Sequence, residues 1–153
     1  MRLLRITFAA LFVAGTFAAC DDDHDNHPPA ENTGSACTAP DQCYPGLDGG
    51  TLKGEVECLT KVPGGYCTHR CASDTDCCAV TGECKSGFKQ VCAPLTNETI
   101  TRCFLSCEDA DVKAADPAYA SDTNGYCAKY ANAAFGCRST GGGSANRKVC
   151  LPN

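Results

Sequence analysis

The apolar positions of this 153-residue chain form one dense run and are scattered thereafter. Ile6 to Phe17 is a twelve-residue apolar stretch preceded by Arg2 and Arg5, and it closes with Phe17-Ala18-Ala19-Cys20. A basic start, an apolar centre of this length and a small-residue close predict a secretory signal over 1–19; the run is too short to span a bilayer as a mature helix. Beyond it, Asp21-Asp22-Asp23-His24-Asp25-Asn26-His27-Pro28-Pro29 has no aliphatic side chain, and up to Ala36 the chain carries five acids and no base. Such a segment can bury nothing, so residues 20–36 are expected to be a disordered acidic tether.

From residue 37 the periodicity is weak and few elements are predicted. Glu55 to Val62, ahead of Pro63-Gly64-Gly65, reads as a short strand entering a turn, and Thr99 to Leu105 alternates as a second strand would. Tyr126 to Phe135 has helical spacing: Tyr126, Tyr130 and Ala134 share a face, Asp122, Thr123 or Asn124 can cap its start, and Gly136 stops it. Glu108 to Ala115 adds a helical turn or two before Pro117. The expected fold class is a small disulfide-rich protein, mostly loops with short β-hairpins and one short α-helix.

Composition explains why so little regular structure is expected. Residues 37–153 hold fourteen of the fifteen cysteines, no tryptophan and few aliphatics, so no continuous hydrophobic core is foreseen and covalent bridges must replace it. Each native bridge in such a domain contributes about 2–4 kcal/mol. The fourteen are Cys37, Cys43, Cys58, Cys67, Cys71, Cys77, Cys78, Cys84, Cys92, Cys103, Cys107, Cys127, Cys137 and Cys150. Cys67-x3-Cys71, Cys77-Cys78 and Cys103-x3-Cys107 crowd thiols together as a zinc site would. Zinc knuckles, however, recur in pairs with their own spacing, and an exported chain folds where thiols oxidise, so bridges are expected and no metal or other cofactor.

The cysteine region repeats itself. Gly65-Tyr66-Cys67 with Cys77 ten positions on recurs as Gly125-Tyr126-Cys127 with Cys137, and Lys89-Gln90-Val91-Cys92-Ala93-Pro94 recurs as Arg147-Lys148-Val149-Cys150-Leu151-Pro152. A second register lays Cys67-x3-Cys71 on Cys103-x3-Cys107, Cys84 on Cys127 and Cys92 on Cys150. Both registers end their units at the same places, which gives a module over 37–94, a linker over 95–102 and a module over 103–153. Nine cysteines precede the linker and five follow it, so full pairing requires an odd number of bridges across it. Among about 135,000 formal pairings the sequence selects none. Cys78 and Cys103 are the expected crossing pair, because Cys78 has no counterpart in either register and Cys103 opens the second module.

Three resemblances attach to these residues. The close of the apolar run resembles the lipobox of bacterial lipoproteins, with Phe17 where leucine is usual, which implies a diacylglycerol-linked Cys20 and accounts for the odd cysteine. An ordinary signal-peptidase cut after Ala18 is the alternative, and it would free the chain. The stretch Gly64-Gly65-Tyr66-Cys67-Thr68-His69-Arg70-Cys71-Ala72-Ser73-Asp74-Thr75-Asp76-Cys77, followed by Gly82-Glu83-Cys84 and Cys92-Ala93-Pro94, resembles the cysteine-rich repeats of secreted proteins and lipoproteins common in myxobacteria. That resemblance is close over 65–94 and looser over 103–152, and it implies an architecture without an activity. Cys67, Cys71, Cys77, Cys78, Cys84 and Cys92 also resemble the order of an inhibitor cystine knot, which implies first-to-fourth, second-to-fifth and third-to-sixth pairing.

Catalytic chemistry has little to work with. The one histidine after the tether, His69, lies between Cys67 and Cys71 and is expected to be a loop residue beside a disulfide rather than a base for Ser73 or Ser86. Gly141-Gly142-Gly143-Ser144 lacks the lysine and following helix of a phosphate loop and reads as a loop tip. Asp74 and Asp76 read as turn residues capping their own backbone rather than calcium ligands, and His24 with His27 reads as solvated linker. Without residues 1–19 the chain holds eleven bases against eighteen acids, a charge of −7, which excludes nucleic acid as a partner. The expected protein is therefore a non-enzymatic lipoprotein of the bacterial cell envelope or surface. It would be membrane-bound through the lipid on Cys20 and would present loops to an extracellular protein or glycan. A freely secreted protease-inhibitor-like protein or a passive structural one is the alternative. Phe88, Phe104 and Tyr119 are expected at the surface, where clustering would favour binding.

Overall fold

The computed structural model describes residues 32–47, 50–84, 87–95, 98–140 and 146–153. The signal, Cys20, the tether through Glu31, Ser86 and the glycines at 141–143 lie outside the described residues; the end of the expected tether, 32–36, is instead part of the fold, with Thr33 buried against Tyr44 and Gly34 and Ser35 hydrogen-bonded to the backbone of Cys67. The elements are β1 (Val56–Cys58), β2 (Cys67–His69), β3 (Gln90–Pro94), β4 (Thr101–Leu105), α1 (Asp109–Ala115), α2 (Thr123–Tyr130), β5 (Phe135–Ser139) and β6 (Lys148–Pro152). They form a disulfide-rich domain with short antiparallel hairpins and two α-helices, not one. Among the described residues no helix is long and apolar enough to cross a membrane.

The strands pair as three separate antiparallel hairpins, β1–β2, β3–β4 and β5–β6. Each hairpin sets one cysteine opposite another: Cys58 faces Cys67, Cys92 faces Cys103 and Cys137 faces Cys150. Facing cysteines never bond to each other. In the first hairpin they reach back to Cys37 and Cys43, in the second to Cys71 and Cys77, and in the third to Cys107 and Cys127. The same four-cysteine pattern, joined first to third and second to fourth, thus occurs three times, over 37–67, 71–103 and 107–150. A seventh bridge, Cys78–Cys84, lies inside the second of these.

The first two units are also alike in detail. A 3-10 turn, Pro40–Gln42 or Asp74–Asp76, fills the five residues between their first two cysteines. The residue before the second cysteine accepts from the backbone N–H after the first: Gln42 Oε1 from Thr38 at 2.8 Å and Asp76 Oδ2 from Ala72 at 2.7 Å. Where one unit passes into the next, Cys71 N–H donates to the Thr101 carbonyl at 3.2 Å and Cys107 N–H to that of Lys148 at 3.0 Å. Both acceptors stand two positions before the last cysteine of the unit being entered. The three hairpins are therefore docked edge to edge by the same contact, reinforced by the bridges Arg70–Arg102 and Ser106–Val149.

This grouping differs from a division into two modules at 95–102. The bridge crossing that linker is Cys77–Cys103, whereas the sequence pointed to Cys78; the adjacent Cys78 takes a φ of 65° and turns back to Cys84. The cystine-knot order is likewise overturned, because Cys67 pairs with Cys43 and Cys71 with Cys92. In α2 the helix begins and ends earlier than the Tyr126 to Phe135 pattern. Asp122 Oδ1 accepts from Gly125 N–H at 2.9 Å and caps the start, while Asn132 Oδ1 takes Ala134 N–H at 2.8 Å and turns the chain, freeing Phe135 for β5.

A hydrophobic core does form. Tyr66 stacks between Phe104 and Phe135, with ring centroids 5.7 and 4.9 Å away. Val91, Leu105, Val112, Val149 and Leu151 close around them, so all three hairpins and α1 contribute to one cluster. Strand β4 contributes on both faces: Thr99 to Leu105 alternates in sequence, yet Arg102 to Leu105 are all buried. Phe104 is accordingly a core residue and not a surface aromatic. At Gly65, where φ is +73°, an added Cβ would lie 1.9 Å from the Cys37 carbonyl oxygen, so only glycine lets the first unit close on its own hairpin.

Candidate functional site

The third unit departs from the other two most between its first two cysteines. Nineteen residues separate Cys107 from Cys127 where five separate the equivalent pairs, and this insertion holds α1, a 3-10 turn at Pro117–Tyr119 and the start of α2. Pro117 ends α1 as its missing N–H requires, and Asp116 caps the next turn by accepting from Ala118 N–H at 3.1 Å. The consequence is to bring Tyr119 back beside α2. There Tyr126 and Tyr130, one helical turn apart, meet it at 6.4 and 6.0 Å, both edge-on. Phe88, which leads into β3, joins from the second unit, 4.7 Å from Tyr130 and 6.2 Å from Tyr126.

Tyr126 is the buried floor of this cluster, while Phe88, Tyr119 and Tyr130 remain half-buried. The rings of Tyr119 and Tyr130 stand at 78° and make a corner, into which the Lys129 ammonium projects, 5.1 and 5.0 Å from their centroids. The Tyr130 hydroxyl donates to Asp116 Oδ2 at 2.7 Å. That bond, with the Ala118 N–H, holds the Asp116 carboxyl below its usual range. Burial and the same carboxylate push the Tyr130 phenol up, and Lys129 is raised chiefly by its contact with Tyr130. Two tyrosines meet one ammonium here, with the Asp116 carboxylate held on the Tyr130 hydroxyl at the edge of the corner, an arrangement suited to holding cations.

The remaining polar clusters are committed to the fold. His69 and Glu83 are fully buried, with Nε2 2.7 Å from Oε1; His69 Nδ1 faces the Arg70 carbonyl, and the Glu83 carboxylate also takes the N–H groups of Cys78 and Val80. His69 therefore lies in β2 and holds the Cys78–Cys84 loop in place. It does not meet Ser73, whose hydroxyl pairs with that of Thr75 at 2.8 Å. Asp76 caps its own turn from Ala72 and Ser73, whereas Asp74 reaches further, to the Arg147 guanidinium of the third unit and to Cys92 N–H at 3.0 Å.

Glu57 lies between Arg70 and Arg102, and Arg102 also donates to Glu98. Burial raises the Glu57 carboxyl, but the hydrogen bonds and charges of the two guanidinium groups outweigh it and leave the group below its usual range. Sulfurs crowd within 4.8 Å of one another at Cys37, Cys43 and Cys67, at Cys71, Cys77 and Cys103, and at Cys107, Cys127 and Cys137. All nine belong to disulfides, so the crowding comes from bridges lying side by side within each unit. None of the nine is a thiolate of the kind that ligates zinc.

Of the three aromatics singled out from the sequence, Phe88 and Tyr119 come together and Phe104 goes to the core. Tyr126 and Tyr130 were legible only as a helix face. The signal that could have marked them is the long gap between Cys107 and Cys127. No family model, no curated protein and no solved structure matches this chain.

Proposed function

We propose that the protein is a non-enzymatic recognition module of the bacterial cell envelope, tethered by lipid at Cys20, with the aromatic insertion after Cys107 as its binding face. The observation that carries this reading is the half-buried cluster in which Tyr119, from the insertion after Cys107, meets Tyr130 of α2, with Phe88 of the second unit against Tyr130. Aromatic rings held rigidly at a surface give contact area at little entropic cost, and a frame of seven bridges supplies the rigidity. The buried His69–Glu83 pair serves the frame, which supports a binding role over a catalytic one.

Two measurements test the proposal. Labelled palmitate should enter the wild-type chain and be absent from Cys20→Ala; an intact mass showing an unmodified Cys20 terminus would remove the anchor. Extracellular polysaccharides and envelope proteins displayed on an array should include a ligand retained by the wild type and released by the Tyr119→Ala/Tyr130→Ala double variant. Equal retention by both would place recognition elsewhere.

A further inference from the structure

The proposed binding face already holds a ligand of its own, and the chemistry of that occupant narrows what the face selects. The Lys129 ammonium fills the corner between Tyr119 and Tyr130 at 5.1 and 5.0 Å from the ring centroids. Asp116 stands beside the same corner, fixed by the Tyr130 hydroxyl at 2.7 Å. Around it the segment from Glu108 to Asp122 carries Glu108, Asp109, Asp111, Asp116 and Asp122 against Lys113 alone. Of these, Asp109 pairs with Lys148 and Asp111 with Lys89, Glu108 accepts from Lys148 N–H and Asp122 caps α2, which leaves Asp116 as the acid placed at the rings.

The geometry points to an aromatic cage for a small soluble quaternary ammonium solute, with Lys129 as the tethered occupant that the solute displaces. This rests on the insertion being the binding face. The argument is one of hydration. A primary ammonium is strongly hydrated and makes three hydrogen bonds, so it gives up much to sit against rings, whereas a quaternary ammonium has no N–H and presents methyl groups over its charge. Two rings at 78° accept methyl groups on both faces of the corner, and Asp116 supplies the balancing charge. Lys129 is on α2, so it can swing to solvent without disturbing Asp122, which caps that helix. An uncharged sugar brings no positive charge to balance Asp116, and an anion is repelled by the acids of the segment.

The test uses the full chain and tetramethylammonium as probe, followed by the NMR signals of the tyrosine rings. Lys129→Ala is expected to bind it about tenfold more tightly than the wild type, the gain from removing an occupant present about nine-tenths of the time. Asp116→Asn in the Lys129→Ala background keeps a capping side chain but should weaken binding about fivefold through loss of the charge. Choline should shift the same rings, and its uncharged isostere 3,3-dimethylbutanol should not. Absence of ring shifts in Lys129→Ala with native disulfides, or equal response to the neutral isostere, would overturn the cage. So would binding to phosphatidylcholine vesicles without binding to free choline. Loss of the array ligand in the Tyr119→Ala/Tyr130→Ala variant would leave the binding face standing even if the cage failed.

Discussion

Removing Cys77–Cys103, which ties the second hairpin back to the start of its own unit, should cost about twice as much stability as removing the adjacent Cys78–Cys84. Cys77–Cys103 spans 26 residues, but it overlaps Cys71–Cys92, which spans 21. With Cys71–Cys92 closed, the extra ring runs from Cys77 back to Cys71, across to Cys92 and on to Cys103. That path is about 17 residues, for which loop-closure entropy gives about 3 kcal/mol. Cys103 is fully buried and Cys77 nearly so, so deleting two sulfurs there adds a small cavity term of about 1 kcal/mol. Cys78–Cys84 spans only 6 residues and Cys78 is exposed, so the same reasoning gives about 2 kcal/mol and no cavity. Cys77→Ala/Cys103→Ala and Cys78→Ala/Cys84→Ala, each confirmed by non-reducing peptide mapping, would be compared by urea unfolding without reductant. A loss of about 4 kcal/mol for the first and about 2 for the second is expected. If the Cys78–Cys84 deletion cost as much as the other or more, the reasoning from ring size and burial would be refuted.

Two further outcomes follow from the packing and the charges. Gly65→Ala should destabilise by about 3 kcal/mol or more, because the methyl collides with the Cys37 carbonyl at positive φ, while Gly64→Ala, with open space at φ +80°, should cost only about 1 kcal/mol in the same thermal melts. Glu57 and Asp74, both held below their usual range by arginine partners that outweigh burial, contribute stability above their ordinary values of 4.5 and 3.8. That contribution is lost as pH falls through the depressed folded values. Thermal midpoints should therefore drop below about pH 4.5, and Glu57→Gln should be less stable at pH 7 with a shallower acid fall; an unchanged acid slope would exclude Glu57 from the transition.

What could be read from the sequence was whatever local chemistry dictates. Asp122 was among the expected caps of α2, Pro117 did end α1, and Thr101–Leu105 fell inside a segment whose alternation marked it as a strand. The strands β2, β3, β5 and β6 escaped because they carry no alternating run of the kind that marked β4 and take their place from a cysteine pair rather than from their own propensity. The core escaped for a related reason. Tyr66, Phe104 and Phe135 are single aromatics far apart in sequence, and only the docking of three hairpins stacks them. The repeat was visible in two conflicting registers because the third unit carries an insertion that shifts Cys127 out of step with Cys43 and Cys77. The aromatic corner was invisible for the same reason, since it exists only once that insertion folds Tyr119 back onto α2.

The claim that the insertion after Cys107 is the recognition face is tested most directly by photo-crosslinking in living cells. A photoreactive phenylalanine analogue at position 119 would be compared with the same group at Lys53, an exposed position of the first unit. A discrete crosslinked product is expected from position 119 and none from position 53. No product from position 119, or the same product from both positions, would contradict that claim.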